Sequence, residues 1–205
     1  MSDAATNRDA TMIAAAVIRV AIPADVPALT TLIERSAREL SRGFYTTQEA
    51  ESAIRHVFGV DSTLIADGTY YLIEAGGAVA ACGGWSRRRT LYGGDQRPVG
   101  APSDILNPAS DAARIRAFFV APEFARRGMG RMLLDHCVAA AARAGFTRLE
   151  LMATLPGVPF YATLGFYREE AVTDRLPDGT SLPFVRMTRS IDGPPAESDA
   201  TGTRE

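Results

Sequence analysis

At 205 residues, 46% apolar and 22% charged, the chain has the length of one domain with ragged ends and the composition of a soluble globular protein, which excludes disordered, collagen-like and membrane-spanning classes. All 22 basic residues are arginine, and without lysine there is no Schiff-base catalysis, no biotin or lipoyl attachment and no P-loop. A net charge of −2 and a pI near 5.8 argue against a dedicated nucleic-acid surface.

Residues 1–12 and 191–205 lack apolar periodicity and read as disordered ends, leaving one domain over 13–190. The apolar run from Met12 to Ile22, interrupted by Arg19, is too short to cross a bilayer and reads as a buried first strand from Val17. Asp25 then opens a helix with Val26, Leu29, Leu32 and Ile33 at helical spacing. A second helix is predicted from Thr46, with Glu49 at capping-box distance, closing at Gly59. Tyr70–Ala75 and Ala78–Trp85 form an antiparallel pair about Gly76-Gly77, because both glycines accept positive φ.

Residues 86–112 read as a long aperiodic loop bordering a substrate, and its Arg87-Arg88-Arg89 run could meet an anion. Further along come a strand at Arg114–Val120, a helix over 127–144 closed by Gly145, a strand at Arg148–Ala153, a short helix at 159–164, and two strands around 166–175 and 183–190 about Pro177-Asp178-Gly179. Strand, helix and strand over 114–153 imply a right-handed parallel crossover inside a mixed sheet. His56, His136, Cys82 and Cys137 show no metal-ligand spacing, and the two cysteines read as reduced packed thiols, consistent with a cytoplasmic protein.

The stretch from Phe118 to Arg131 carries the chemistry. An apolar strand runs through a tight loop into a helix whose first N–H groups lack partners and concentrate positive potential. Gly128 and Gly130 place no Cβ near a guest, Arg126, Arg127 and Arg131 add charge, and a pyrophosphate suits the cradle. The competing reading is that the glycines only permit close helix packing. The three-glycine dinucleotide pattern and its ribose-binding acid are missing.

These residues resemble the GNAT superfamily of acetyl-CoA-dependent N-acyltransferases, whose strand ends in Val-x-Pro, here Val120-Ala121-Pro122, before Gln/Arg-x-x-Gly-x-Gly/Ala at a helix start. Ala125 occupies the Gln/Arg position, with arginines shifted to Arg126 and Arg127. A second stretch, Pro159-Phe160-Tyr161-Ala162-Thr163-Leu164-Gly165-Phe166, is similar to the family's Phe-Tyr-x-x-Leu-Gly-Phe motif. An asparagine that many members carry upstream is replaced by the turn Thr154-Leu155-Pro156-Gly157.

The resemblance, spanning about residues 17–190, implies an α/β GNAT fold: a mixed, mostly antiparallel sheet with a splayed parallel central strand pair and helices on both faces. It implies acetyl-CoA as co-substrate, no metal, pantetheine paired with the backbone of Phe118, Phe119 and Val120, and pyrophosphate at Arg126, Arg127, Gly128, Met129, Gly130 and Arg131. It implies Tyr161 as general acid toward the departing thiolate, against a packing role. Glu150 is a candidate base beside Glu74, Asp111 or a water, with an ion-paired carboxylate as the competing reading; His136 reads as a core residue. The expected activity is acetyl transfer to a small-molecule primary amine. Alternatives are a non-catalytic acyl-CoA-binding module, a protein N-terminal or side-chain acetyltransferase, and an anion-binding scaffold; a homodimer fits the family, a nucleic-acid or membrane partner does not.

Overall fold

The computed structural model describes residues 16–97 and 104–191. The segments 1–12 and 192–205, expected to be disordered, lie outside the described residues. In chain order the elements are β1 (Val17–Val20), α1 (Val26–Leu40), α2 (Thr47–His56), α3 (Ser62–Ala66), β2 (Tyr70–Ala75), β3 (Ala78–Ser86), β4 (Ala113–Val120), α4 (Met129–Arg143), β5 (Arg148–Thr154), α5 (Gly157–Ala162), β6 (Tyr167–Arg175) and β7 (Ser181–Ser190).

One seven-stranded sheet has the order β1-β2-β3-β4-β5-β7-β6, with every neighbouring pair antiparallel except β4 and β5. Nearly every residue of β2 and β3 is buried, so helices cover both faces of the sheet there. The local signals act as expected at three points. Thr46 and Glu49 close a full capping box on α2, Gly76 and Gly77 both take positive φ (59° and 78°) in the hairpin, and Gly145 (φ 90°) ends α4.

Three expectations need correction. The first strand is an exposed edge rather than buried: β1 pairs only with β2, and Val17 and Val20 are 58% and 44% exposed; Met12 to Ala15 lie outside the described residues. The second helix ends at His56, and Gly59 does not cap it. Gly59 is needed for space, because a Cβ there would fall 1.7 Å from Oε1 of Gln96. The aperiodic loop after β3 begins as a short ladder, in which Arg89 N–H donates to Asp104 O (3.0 Å) and Leu106 N–H to Arg87 O (2.7 Å). Within the arginine run, Arg88 is held by both oxygens of Asp67 at 2.7 Å, so it supports this ladder.

Tyr45, between α1 and α2, ties that connection to the neighbouring ends of β5 and β7. Its hydroxyl donates to Pro183 O (2.6 Å) and accepts from Leu155 N–H (3.0 Å), and burial raises its pKa to about 12. Tyr45→Phe leaves a half-buried carbonyl and a half-buried N–H without their partner at the exit of β5. The expected loss is about 1–3 kcal/mol of stability in urea unfolding, with an unchanged denaturant slope.

Candidate active site

The parallel pair that the crossover requires is short. β4 and β5 are in register only at Ala113/Leu149, Arg114/Glu150 and Ile115/Leu151. Beyond Ile115, β4 continues to Val120 bonded to β3 alone, while β5 runs on to Thr154 bonded to β7. The strands part, and β4 from Arg116 onward turns one edge toward a gap.

A β-bulge shapes that edge. Ala117 and Phe118 stand opposite the single residue Gly83, and Ala117 takes a positive φ of 50°, a conformation costing a non-glycine residue about 1 kcal/mol or more. The surroundings hold it there. The fully buried Tyr70 donates its hydroxyl to the Ala117 carbonyl (3.1 Å), and Gly83 leaves room for the Phe118 ring, which would otherwise lie 2.3 Å from a Cβ. The glycine pair Gly83-Gly84 inside an apolar strand is the sequence trace of this close approach.

The gap opens into a cavity of about 230 Å³ lined by Ile115 to Val120 of β4, by Leu151, Met152 and Thr154 of β5, and by Gly157, Phe160 and Tyr161 of α5. Its far wall comes from α1, from Val57 to Gly59, from Tyr92 to Gly94 and from Phe184. α4 begins beside it. A Cβ on Gly130 would lie 3.0 Å from the Phe160 ring and 3.6 Å from Val120, so this glycine permits close packing against two cavity residues. Gly128, the N-cap, has nothing within 4 Å of a Cβ but takes φ 83°. The two glycines divide the competing readings, one serving packing and the other an open turn.

No side chain caps α4. Its first ladder bond runs from Met132 N–H to Gly128 O (3.0 Å), which leaves the N–H groups of Met129, Gly130 and Arg131 ahead of it without helical partners. Arg126 and Arg131 are exposed, and neither has an ion-pair partner among the described residues, whereas Arg127 is half-buried. Arg126 sits in the left-handed region (φ 64°), where it makes the turn that Gly128 completes.

Tyr161 is buried among Phe118 (6.3 Å between ring centroids), Phe160 (5.0 Å) and Phe166 (5.5 Å), all edge-on, and it also lines the cavity. Desolvation drives its pKa well above the ordinary phenol value, with a smaller contribution from the buried Cys137. Cys82 and Cys137 are both free and buried, as packed thiols should be; burial pushes Cys82 up to about 12.

The structure does not bring Glu150 to the cleft. It sits at the closed end of the strand pair, ion-paired with Arg114 and 3.6 Å from Arg186 Nε, which is the ion-paired reading of this carboxylate. Glu74 is held by Arg19 (2.7 Å), Asp111 accepts from Asn107 N–H (2.8 Å), and His136 lies edge-on to Tyr71 (4.5 Å) with its pKa lowered by burial. None of them lines the cavity.

The acetyltransferase (GNAT) family profile matches residues 28–166. The chain belongs to this family. As a GNAT protein it is an acyltransferase, and its solved neighbours share the fold. A GCN5-related N-acetyltransferase from Rhodopseudomonas palustris superposes with a TM-score of 0.63 at 19% identity, covering 85% of this chain and 94% of that one. The PaiA N-acetyltransferase of Thermoplasma acidophilum, in complex with coenzyme A, gives 0.58 at 14% identity, covering 86% and 99%. The yncA protein of Salmonella typhimurium, with its cofactor acetyl-CoA, gives 0.56 at 16%, covering 90% and 98%. No curated protein sequence matches the chain. Among the described residues no helix is long and apolar enough to cross a membrane.

Sequence reasoning missed the far wall of the cavity. Phe58 reads as the tail of a helix, Tyr92 as part of an aperiodic loop and Phe184 as a strand residue, and only folding joins them. It also missed Arg116, whose guanidinium is sealed beside the cavity, 2.9 Å from Asp61 and donating to Gly93 O (2.7 Å). That pair is close in charge but not aligned as a hydrogen bond. Burial pushes the Asp61 carboxyl up and the Arg116 guanidinium down, each opposed by the other's charge.

Two measurements test this geometry. Gly128→Val forces a β-branched residue into the left-handed region, and calorimetry is expected to show coenzyme A binding weakened by about tenfold or more. Because Tyr161 has a raised folded-state pKa, the folded chain retains a proton that the unfolded chain loses above about pH 10, so its contribution to stability falls as pH rises past that point. Spectrophotometric titration of wild type and Tyr161→Phe is expected to give the same phenolate signal up to about pH 10, and a missing phenolate in the variant would show that the buried hydroxyl titrates normally.

Proposed function

We propose that this protein transfers the acetyl group of acetyl-CoA to a primary amine of a small molecule by direct attack in a ternary complex. The parting of β4 from β5 carries the reading, because it leaves a strand-like slot with α4's uncapped end beside one wall and Tyr161 on another. An extended pantetheine arm fits that slot as a substitute strand, bonding to peptide groups of Phe118, Phe119 and Val120 that would otherwise lack partners. The diphosphate is received by the N–H groups of Met129, Gly130 and Arg131, with Gly128 opening the turn and Arg126, Arg127 and Arg131 supplying charge.

In this arrangement the unprotonated amine attacks the thioester carbonyl. The C–N bond forms, the C–S bond breaks, the amine proton leaves to solvent and the departing thiolate takes the phenolic proton of Tyr161, which water restores. A raised pKa keeps that phenol protonated at neutral pH, so it is available as a donor. Glu150 has no part in the proposal, since it is engaged with Arg114 and Arg186 and does not line the cavity.

Tyr161→Phe is expected to lower kcat by about 10²-fold while leaving the affinity for acetyl-CoA nearly unchanged. Stopped assays of thiol release with independent calorimetry separate the two quantities. Equal turnover would remove Tyr161 from the mechanism, and binding without turnover of any amine by the wild type would favour a non-catalytic acyl-CoA-binding module.

A further inference from the structure

The wall that faces the slot is aromatic and continuous. Phe119 of β4 meets Phe58 edge-on (5.7 Å between centroids), Phe58 meets Phe184 (6.5 Å), and Phe184 meets Tyr92 (5.4 Å). A tight seam sets these rings in place. Gly94 N–H donates to Val57 O (2.9 Å), Asp95 N–H donates to Val60 O (2.9 Å), and a Cβ on Gly94 would come within 2.7 Å of the Gly59 carbonyl oxygen. The far end of the wall is tied to β6, where Asp174 accepts from the Tyr92 hydroxyl (3.1 Å) and pairs with Arg97.

Electrically, the cavity holds no described side chain that carries negative charge. Among the described lining residues there is no carboxylate and no imidazole. Asp61, Asp95 and Asp174, carried by the elements that build the wall, are each engaged: Asp61 with Arg116, Asp95 with the N–H and hydroxyl of Ser62 (2.9 and 2.5 Å), and Asp174 with Arg97 and Tyr92. Among the described lining residues the one charged side chain is Arg116, and a second guanidinium, Arg97, already lies over the Tyr92 ring at 4.7 Å. An ammonium placed here would leave water for a site whose two nearby guanidiniums already pair with Asp61 and Asp174, with no free carboxylate to receive it.

We propose that the acceptor is a weakly basic aromatic primary amine, an aniline or aryl hydrazine, whose nitrogen is unprotonated in water at neutral pH. The inference rests on the acetyltransferase reading above and assigns its substrate class. Such an amine reaches the site as the free base, so no side chain has to remove an ammonium proton before attack. Its ring stacks edge-on in the aromatic wall. A single ring fits the space, since an apolar cavity of about 150 Å³ takes one benzene and this one measures about 230 Å³.

The test is a rate comparison on the full chain with acetyl-CoA, measuring thiol release with 4-methylaniline and phenylhydrazine against cyclohexylamine, benzylamine and spermidine. The aromatic weak bases are expected to exceed the three strongly basic amines in kcat/KM by about a hundredfold at neutral pH, with a pH profile flat from about pH 6.5 to 8.5 because their protonation state does not change there. Tyr92→Ala is expected to raise KM for 4-methylaniline about tenfold, with the acetyl-CoA affinity unchanged. Faster turnover of spermidine, benzylamine or cyclohexylamine overturns the substrate class and leaves the acetyltransferase reading standing. Acetyl-CoA bound with neither aromatic amine turned over also overturns it, and no binding of acetyl-CoA overturns both.

Discussion

Buried peptide groups have to be bonded to something, and in this fold that requirement bears hardest on β4. On one side the strand pairs with β3 except at the bulge. On the other it has three registered partners in β5 and then none. The rest of the site is arranged around the remainder of that edge: the bulge at Ala117 turns it, Gly83 and Tyr70 hold the bulge, and α4 starts where the strand ends. Closing the gap by ordinary sheet pairing would satisfy the backbone and remove the cavity together.

The separation is kept open from both ends. At the closed end Glu150 is clasped by arginines of β4 and β7, so β4, β5 and β7 are cross-linked just before the strands part. At the open end, Tyr45 secures Leu155 just past β5 and Pro183 in β7. Charge pairing fixes one terminus of the slot and neutral hydrogen bonding the other. A fully buried pair, Arg116 with Asp61, then joins β4 to the segment ahead of α3. Such a pair adds little net stability against apolar replacements but is costly to break singly, which suits a role in fixing geometry.

Much of this was legible from local chemistry. The capping box at Thr46 and Glu49, the double-glycine hairpin and the loop from Val120 to Arg131 are signals confined to a few residues, and each formed where its residue types demanded. The second motif around Tyr161 was equally local. What escaped were features made by tertiary contact. Val17 and Val20 look like core because they are apolar, yet their strand is the sheet's border. Gly59 looks like a helix stop but serves a neighbouring glutamine. Glu150 alternates with leucines as a cleft-facing residue would, and only the register of β4 against β5 reveals Arg114 opposite it. The aromatic wall has no local signature, because its rings come from four separated segments.

The attachment of Tyr92 to Asp174 has a consequence for how such a protein diversifies. The β6–β7 hairpin lies at the sheet border, yet through one carboxylate of β6 it holds a ring that lines the cavity. Substitutions at the outer hairpin can therefore reshape the cavity without touching β4 or the turn that opens α4, and descendants of one ancestor can vary the pocket along a border tolerant of change.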